Sequence, residues 1–415
     1  MMPRADMKTD TNITLPLSFI VYGLIALILS QFILFFSSSS LLSGQFRIPE
    51  IWMSAHFLLL GFALMVAMGA MYQLVPVAFL VQIWNEKFGF VQFFMTAFGI
   101  LFLSAMLGIK PNFAVYGGIL TVIGVFMFLL QMERTMKKVE KKSMMYYFVI
   151  ASLSFLLLAI LAGFLLVWNF AFGGIPNHEA ILYTHMTFGV AGWFTLLIFG
   201  FSYKLVPMFS LSHGFSMKRA KPSLIIYIAG LSFLVASFWL PVSFLDILGW
   251  MLLWAGFGLF VLDIKEILQK RVKKKLDKPF IFSLIAIGSG FLIHTIALGF
   301  SLFAVHHRDI WSWLIFLCIL IWIIFSIHGY LDKIVPFLWW THKYADRIGK
   351  EKVPTLKEMM NEKLSIYLFI LFSVAIIGII ISFSFASGKL LFIFLGILAF
   401  TSLVYGMSII KVLVQ

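Results

Sequence analysis

The chain has 415 residues, of which 62% are hydrophobic and only 12% are charged. Its mean hydropathy is +1.04, and a composition this apolar argues against a water-soluble globular protein. The formal net charge of +14 raises the alternative of a nucleic-acid-binding protein, but the distribution of the basic residues argues against that role, as shown below.

Apolar runs of about twenty residues or more recur along the whole chain, and each is long enough to cross about 30 Å of hydrocarbon as an α-helix. The runs lack the polar–apolar alternation of a barrel strand, so the sequence predicts an all-α polytopic membrane protein with twelve transmembrane helices. The first run is too long and too polar at its front for a cleaved signal peptide, so we expect a retained helix. The predicted spans are, in chain order, 14–37, 50–80, 88–108, 113–132, 145–172, 178–208, 222–241, 243–266, 279–304, 309–338, 364–386 and 389–412.

Lysine and arginine concentrate in the connections that follow the fourth, sixth, eighth and tenth spans. The basic segments are 134–142, 218–221, 265–278 and 343–363. By the positive-inside rule, both termini and every even-numbered connection are expected on the cytoplasmic side of the cell membrane. Basic loops in this position need only anionic headgroups, so the expected partner is the lipid bilayer and not a nucleic acid. The longest soluble segment, 343–363, is expected to contain a short interfacial helix.

One motif occurs three times along the chain. Its copies are Gly69-Ala-Met-Tyr-Gln-Leu-Val-Pro76, Gly200-Phe-Ser-Tyr-Lys-Leu-Val-Pro207 and Gly329-Tyr-Leu-Asp-Lys-Ile-Val-Pro336. This fixed period of about 130 residues predicts a single transmembrane domain, 1–415, built from three units of four helices at about 14–142, 145–278 and 279–412. The glycine is expected to permit close helix contact and the proline to end the helix, and such a packing role would itself explain the motif.

Histidine is the residue type left for chemistry inside the bilayer, because no Asp or Glu lies near the middle of a predicted span. The missing carboxylates argue against proton pumping. At 1.5 Å per residue, His56 and His185 lie about 8 and 10 Å below the outer surface, and His294 about 15 Å below it. Imidazoles on different helices at similar depth can flank a haem iron, whereas a hydrogen-bonded packing role is the alternative for each one alone.

We predict His56, His185 and His294 as cofactor ligands. Candidate metal ligands at the outer ends are His178, His306 and His307. His328 lies about 18 Å deeper than His56 and is not expected to share a ligand with it.

At this point the chain resembles the catalytic subunit I of the haem-copper oxidase superfamily. That family has twelve helices in three blocks of four and a haem-ligating histidine near the outer end of its second helix. The stretch from His56 to Gly61, followed by Leu74-Val75-Pro76, is similar to that helix. The resemblance implies a b-type or related haem with His56 as an axial ligand. A weaker resemblance, to NnrS-type membrane haem proteins of the nitric-oxide response, is carried by Thr184 to Met186 and Gly192-Trp193.

The chain departs from the oxidase pattern at the copper site. The family has a histidine in a His-Pro-Glu-Val-Tyr setting on its sixth helix, where this chain has Asn177-His178-Glu179-Ala180 and His185. The seventh span has no histidine, and Phe316 occupies the level of the family's His-x-His pair in the tenth. The oxygen-reducing centre therefore does not carry over. Copper as a second metal and an oxidoreductase activity of the oxidase or nitric oxide reductase type stay open.

Together these features predict a membrane haem protein that transfers electrons or handles oxygen or nitric oxide on the outer side. His185 would bind a second metal or haem, and His294 or the His306/His307 pair would stand opposite His56. A quinol or another electron donor, and a further membrane subunit or a second copy of the chain, are the expected partners. The alternatives are a haem or metal transporter or assembly factor, and a structural subunit without a cofactor.

Overall fold

The structure is a computed structural model that describes residues 11–305 and 307–414. This part of the chain contains twelve helices that are long and apolar enough to span a membrane, which confirms the predicted all-α polytopic fold. Their bounds are α1 Thr14–Phe36, α2 Pro49–Phe79, α3 Glu86–Ile109, α4 Pro111–Met136, α5 Met144–Phe172, α6 His178–Ser210, α7 Ala220–Trp239, α8 Ser243–Gln269, α9 Lys278–Leu302, α10 Arg308–Arg347, α11 Glu362–Ser384 and α12 Gly388–Val412. We call the end of the bundle with the basic loops the basic end, and the other the opposite end.

The helices pack in an order that recurs every four elements. Helices α1, α5 and α9 pack against α2, α6 and α10, respectively, while α3–α4, α7–α8 and α11–α12 form hairpins. Helix α4 then contacts α5, α8 contacts α9, and α12 returns to contact α1. The last helix thus closes the circuit on the first. The packing order of the helices is thus the same in each set of four.

Two of the hairpins depend on glycines that let the helix backbones touch. A Cβ added to Gly117 on α4 would lie 2.2 Å from the backbone nitrogen of Leu103 on α3, and one added to Gly230 on α7 would lie 2.7 Å from that of Leu253 on α8. Both distances are far below van der Waals contact. Small residues at such crossings allow dispersion contacts along the whole backbone, which is the main attraction between helices in lipid.

The second helix of each unit contains a π-helical segment, which the sequence analysis did not predict. These segments are Phe57–Leu64, Thr187–Phe194 and Cys318–Ile324. In α6 the hydroxyl of Thr195 donates to the carbonyl of Val190 at 3.0 Å, and it accepts from the indole Nε1 of Trp322 in α10 at 2.9 Å. Two of the three π segments are therefore tied together in the interior. Such segments are rare and occur often at functional sites.

The prediction that the motif proline ends each helix is wrong, because all three prolines lie inside helices. The helices continue to Phe79, Ser210 and Tyr344. A proline inside a helix leaves the carbonyl four residues earlier without its usual partner. At Pro76 that carbonyl belongs to Tyr72, and the hydroxyl of Thr11 donates to it at 3.1 Å. The lost backbone bond is thus replaced.

The interfacial helix expected in 343–363 is also not observed. Helix α10 itself extends to Tyr344 and ends in the 3-10 turn Ala345–Arg347, after which no α-helix begins before Glu362. Gly349 has φ of 78°, in the left-handed region, and Pro354 follows it. Neither residue suits the interior of a new helix.

The α3–α4 contact predicts that glycine-to-alanine substitutions at two helix positions have different effects on the free energy of unfolding. Gly117→Ala places a Cβ on backbone atoms of α3 that no side-chain rearrangement can move away. We expect it to destabilise the protein by about 1–3 kcal/mol, as overpacking does. Thermal unfolding in detergent, followed by tryptophan fluorescence, measures the change.

Gly288→Ala on α9 is the matched control, because a Cβ there would meet no atom within 4 Å. Alanine favours helix over glycine, so this control should be neutral or stabilising by up to about 1 kcal/mol. Equal unfolding temperatures for the two variants would contradict the close-packed hairpin.

Candidate functional site

The structure brings the imidazoles of His56 on α2 and His185 on α6 close together, with nearly parallel ring planes. Their ring centres lie 6.4 Å apart and their ring planes differ by 10°. Both side chains are half-buried. His56 is the last residue before the π segment of α2, and His185 lies two residues before that of α6. The two histidines that the sequence predicts at similar depth therefore meet.

A backbone carbonyl fixes the orientation of each ring. The Nδ1 atom of His56 lies 2.8 Å from the carbonyl oxygen of Trp52, and that of His185 lies 2.8 Å from the carbonyl oxygen of Ala159 on α5. A carbonyl only accepts hydrogen bonds, so we assign the proton of each neutral imidazole to Nδ1. Each Nε2 then keeps its lone pair. Metal-bound histidines have this arrangement, with the second nitrogen donating to a carbonyl or carboxylate.

Gly163 leaves space for the His185 ring to reach the carbonyl oxygen of Ala159. It lies four residues after Ala159 on α5, one turn away, so a side chain at this position would cover the Ala159 oxygen. A Cβ added to Gly163 would lie 2.7 Å from Cε1 of His185 and 2.9 Å from Nδ1. Glycine is required here by the close approach of the imidazole. Nothing in the sequence distinguishes this glycine from its neighbours.

The distance between the ring centres is close to the value for two imidazoles whose Nε2 atoms both point at one metal ion. A metal–imidazole bond is about 2.0–2.1 Å long, and adding about 1.1 Å from each nitrogen to its ring centre gives centres about 6.2–6.4 Å apart. The observed 6.4 Å lies at this value. Direct stacking would bring ring atoms to about 3.5–4.0 Å. The ring centres are therefore farther apart than in direct stacking.

Open space adjoins the pair along α6. Gly189 lies one turn after His185, and the nearest atom to an added Cβ there is the Ala159 Cβ at 4.0 Å. Residues 186–190 are all half-buried, although α6 is otherwise largely buried. On the α2 side, the indole of Trp52 stacks on Phe170 of α5 with ring centres 5.0 Å apart. The surface of α6 next to His185 is thus open at Gly189.

The structure does not bring His294 to the pair. Its Nδ1 lies 2.8 Å from the carbonyl of Gly290, and its Nε2 lies 3.1 Å from the hydroxyl of Tyr227 on α7. The ring packs against Phe257 and Trp250 of α8. Both nitrogens have protein partners, so the geometry supports the alternative of a hydrogen-bonded packing histidine.

The other predicted metal ligands lie apart from the pair. His178 and His307 are exposed at the start of α6 and before α10, and His306 lies outside the described residues. Across residues 11–305 and 307–414, no group of three or more His, Cys, Asp or Glu side chains converges on a common point. The observed donor set is thus two imidazoles.

At the opposite end, two arginines bind Glu179, which lies near the start of the helix that carries His185. Glu179 accepts hydrogen bonds from Arg47 at 3.2 Å and from Arg308 at 3.3 Å, and Arg47 also donates to the hydroxyl of Tyr183 at 3.0 Å. Burial lowers the pKa of Arg47, but its bonds to Tyr183 and Glu179 outweigh this and raise it. The sequence contained a signal for this cluster, since Arg47 and Arg308 are among the few basic residues in the connections on that side.

Comparisons with known proteins do not identify a relative. No family model matches the chain, and no curated protein matches its sequence. The functional argument therefore rests on the geometry of the site.

The hydrogen bonds of the pair predict a specific tautomer for each imidazole. In protein grown with isotope-labelled histidine, nitrogen NMR at neutral pH should show His56 and His185 as the Nδ1–H tautomer, because each Nδ1 faces a carbonyl. His56→Gln and His185→Gln assign the two signals. Gly163→Val should move the His185 signal, because its side chain occupies the position of the ring. An Nε2–H tautomer at either residue would contradict the assignment.

Proposed function

We propose that the protein is a membrane haem protein in which His56 and His185 are the axial ligands of a single b-type haem. The observation that carries this proposal is the pair of nearly parallel imidazoles, 6.4 Å apart, each with Nδ1 bonded to a backbone carbonyl. A bound haem would supply a one-electron redox centre. In this proposal, His185 is the ligand opposite His56, a place that the sequence analysis gave to His294 or to His306/His307.

The ligand set favours electron transfer over the binding of oxygen or nitric oxide. If His56 and His185 both held the iron of a bound haem, a diatomic gas would have to displace one of the two histidines. The carbonyls of Trp52 and Ala159 oppose such displacement because they hold the rings in place. These partners also raise the basicity of the ligands. We therefore propose electron transfer, with a quinol or another donor as the partner.

The arginines at the opposite end suit the charge of a haem. A b-type haem carries two propionate carboxylates, and arginine binds carboxylates through two parallel hydrogen bonds. Arg47 contacts Tyr183, which lies two residues before His185. If a haem were bound, Arg47 and Arg308, which bind Glu179 here, would be the residues able to bind its carboxylates.

The rest of the proposal concerns the membrane and a second metal. We place the protein in the cell membrane with its basic end toward the cytoplasm, following the positive-inside rule. The resemblance to haem-copper oxidase subunit I supports the role of His56. Copper has no comparable support, since the described residues offer no third ligand beside the pair.

Removal of either ligand tests the proposal. His56→Ala and His185→Ala should each reduce haem content at least about tenfold, or leave a five-coordinate high-spin spectrum, because one axial bond is lost. His178→Ala, an exposed histidine on the same helix as His185, is the control and should keep the spectrum. The measurement is the absorption spectrum of purified protein with and without dithionite. Unchanged Soret bands in both variants would disprove the ligand assignment.

A second substitution tests the space beside the ligands. Gly189→Leu should lower haem occupancy, since its side chain would fill the room next to His185 without touching either imidazole nitrogen. Gly299→Leu on α9, where an added Cβ meets no atom within 4 Å, is the matched control. Haem per protein, measured by pyridine haemochrome, gives the result. Full occupancy in Gly189→Leu would place the haem elsewhere.

A haem transporter or assembly factor is the second candidate. The observation in its favour is that both imidazoles are half-buried, which leaves a bound group accessible for exchange. Transfer of haem to apomyoglobin separates the two functions. Release within minutes supports the transporter, and retention with a reversible redox change supports electron transfer.

A further inference from the structure

A second group of polar side chains lies near the basic end, between α10, α11 and α12, and includes an aspartate whose carboxyl has no partner. Asp332 is 3% exposed, and neither of its carboxyl oxygens accepts or donates a hydrogen bond. One turn earlier on the same face of α10 is His328, also 3% exposed, whose Nε2 is likewise unpaired. Burial of an ionised carboxylate without partners is so costly that the group takes up a proton instead.

The surrounding helices supply no free positive charge to Asp332. Its neighbours are Ser365 on α11, Tyr405 on α12 and the adjacent Lys333. Lys333 is bound to the carboxylate of Asp277 at the start of α9, which also accepts from Lys273 at 2.7 Å. Burial raises the pKa of Asp277, but the bonds from Lys273 and Lys333 outweigh this and lower it. Asp277 therefore remains the charged partner of Lys333.

The remaining contacts of His328 add no charged group. Phe62 of α2 and Phe372 of α11 approach its ring edge-on, with ring centres 5.7 and 5.3 Å away. Tyr405 lies over it with ring centres 4.1 Å apart. From α6, the contact with α10 at this level is the hydrogen bond of Ser202 to Tyr330 at 2.8 Å.

The hydrogen bond made by the Tyr405 hydroxyl bears on whether the Asp332 carboxyl is ionised or protonated. It donates its proton to the backbone carbonyl of His328 at 3.1 Å. A tyrosine hydroxyl has a single proton, so toward Asp332 its oxygen can act only as an acceptor. An ionised carboxylate also only accepts, whereas a protonated one can donate to this oxygen. With its proton directed to His328, Tyr405 gives an ionised Asp332 no hydrogen bond in this arrangement.

A cavity adjoins this group and gives it room for water. It is lined by His328, Thr401, Tyr405 and three apolar residues, and it has about 10 Å³ of space for the centre of a water molecule. One water needs about 10–15 Å³ by this measure and two or more polar partners. The unpaired Nε2 of His328 and the unpaired hydroxyl of Thr401 provide them.

A second aspartate shows what a buried carboxylate looks like when it is paired. Asp263 on α8 is 0% exposed, accepts from the hydroxyl of Tyr203 at 3.1 Å and lies 3.2 Å from a guanidinium nitrogen of Arg219. Tyr203 and Asp332 occupy the same place in the repeated motif, three residues after its glycine. At Asp332 a tyrosine and an aspartate are again neighbours, with the two residue types exchanged between helices, but no hydrogen bond joins them and no arginine is present among the described neighbours.

We propose that Asp332 and His328 form a buried proton-binding site in which Asp332 holds a proton at neutral pH and His328 connects it to a water in the adjoining cavity. The site is distinct from the histidine pair at His56 and His185, and it does not depend on whether a haem binds there. Its ligand is a single exchangeable proton.

Infrared spectroscopy of the full-length protein in an ester-free detergent tests this site. At neutral pH, protein grown with carboxyl-labelled aspartate should differ from unlabelled protein by one carbonyl band of a protonated acid, with the intensity of about one carboxyl per molecule. The band should shift in heavy water, because the proton exchanges. Asp332→Asn should remove it, and Asp263→Asn should leave it unchanged.

The wild-type protein can overturn the proposal without any variant. A spectrum with no label-sensitive acid band at neutral pH means that Asp332 is ionised. A band that survives in Asp332→Asn means that the proton is on another residue. If Asp332→Asn does not fold, Asp332→Glu can be used, and its acid band should no longer respond to the aspartate label. His328→Gln should shift the frequency of the Asp332 acid band. No change in either variant would also contradict the site.

Discussion

Every polar group that enters the bilayer must find its partner inside the protein, and this constraint accounts for much of the structure. The hydroxyl of Thr11 replaces the backbone bond that Pro76 removes from Tyr72. Tyr227 completes the hydrogen bonds of His294. The carboxyl of Asp332 is one of several buried polar groups without a hydrogen-bond partner among the described residues, and Gln31, Ser104 and Trp193 carry others. One proposed site lies at this buried carboxyl, and the other lies at the two half-buried imidazoles of His56 and His185.

The sequence predicted the class of the fold and part of the first site. Twelve apolar runs define twelve spans because length and composition alone decide whether a helix can cross a membrane. Depth along a helix follows from the rise per residue, so His56 and His185 could be placed at similar levels. Their pairing could not be derived, because neighbouring helices and their rotation depend on contacts such as Gly163 against His185, and the spacing of residues in a sequence does not encode them.

Other features were missed for reasons that are equally physical. The π segments change the direction in which the later side chains of α2, α6 and α10 point. No residue pattern in the sequence predicted these segments. His294 was expected to be a ligand, yet Tyr227, a residue 67 positions earlier, bonds to its second nitrogen. Asp332 was not predicted as a buried site, because Pro336, four residues later, was expected to end the helix. In the structure α10 continues past that proline, and the carboxyl is buried among α10, α11 and α12.

The π segments also bear on how the chain arose. They begin at Phe57, Thr187 and Cys318, so their starts are separated by 130 and 131 positions. A π turn is commonly described as one extra residue accommodated within an α-helix. Three independent gains would have to strike corresponding points of three helices. One gain in a four-helix ancestor, followed by two rounds of copying and fusion, would account for all three with a single event.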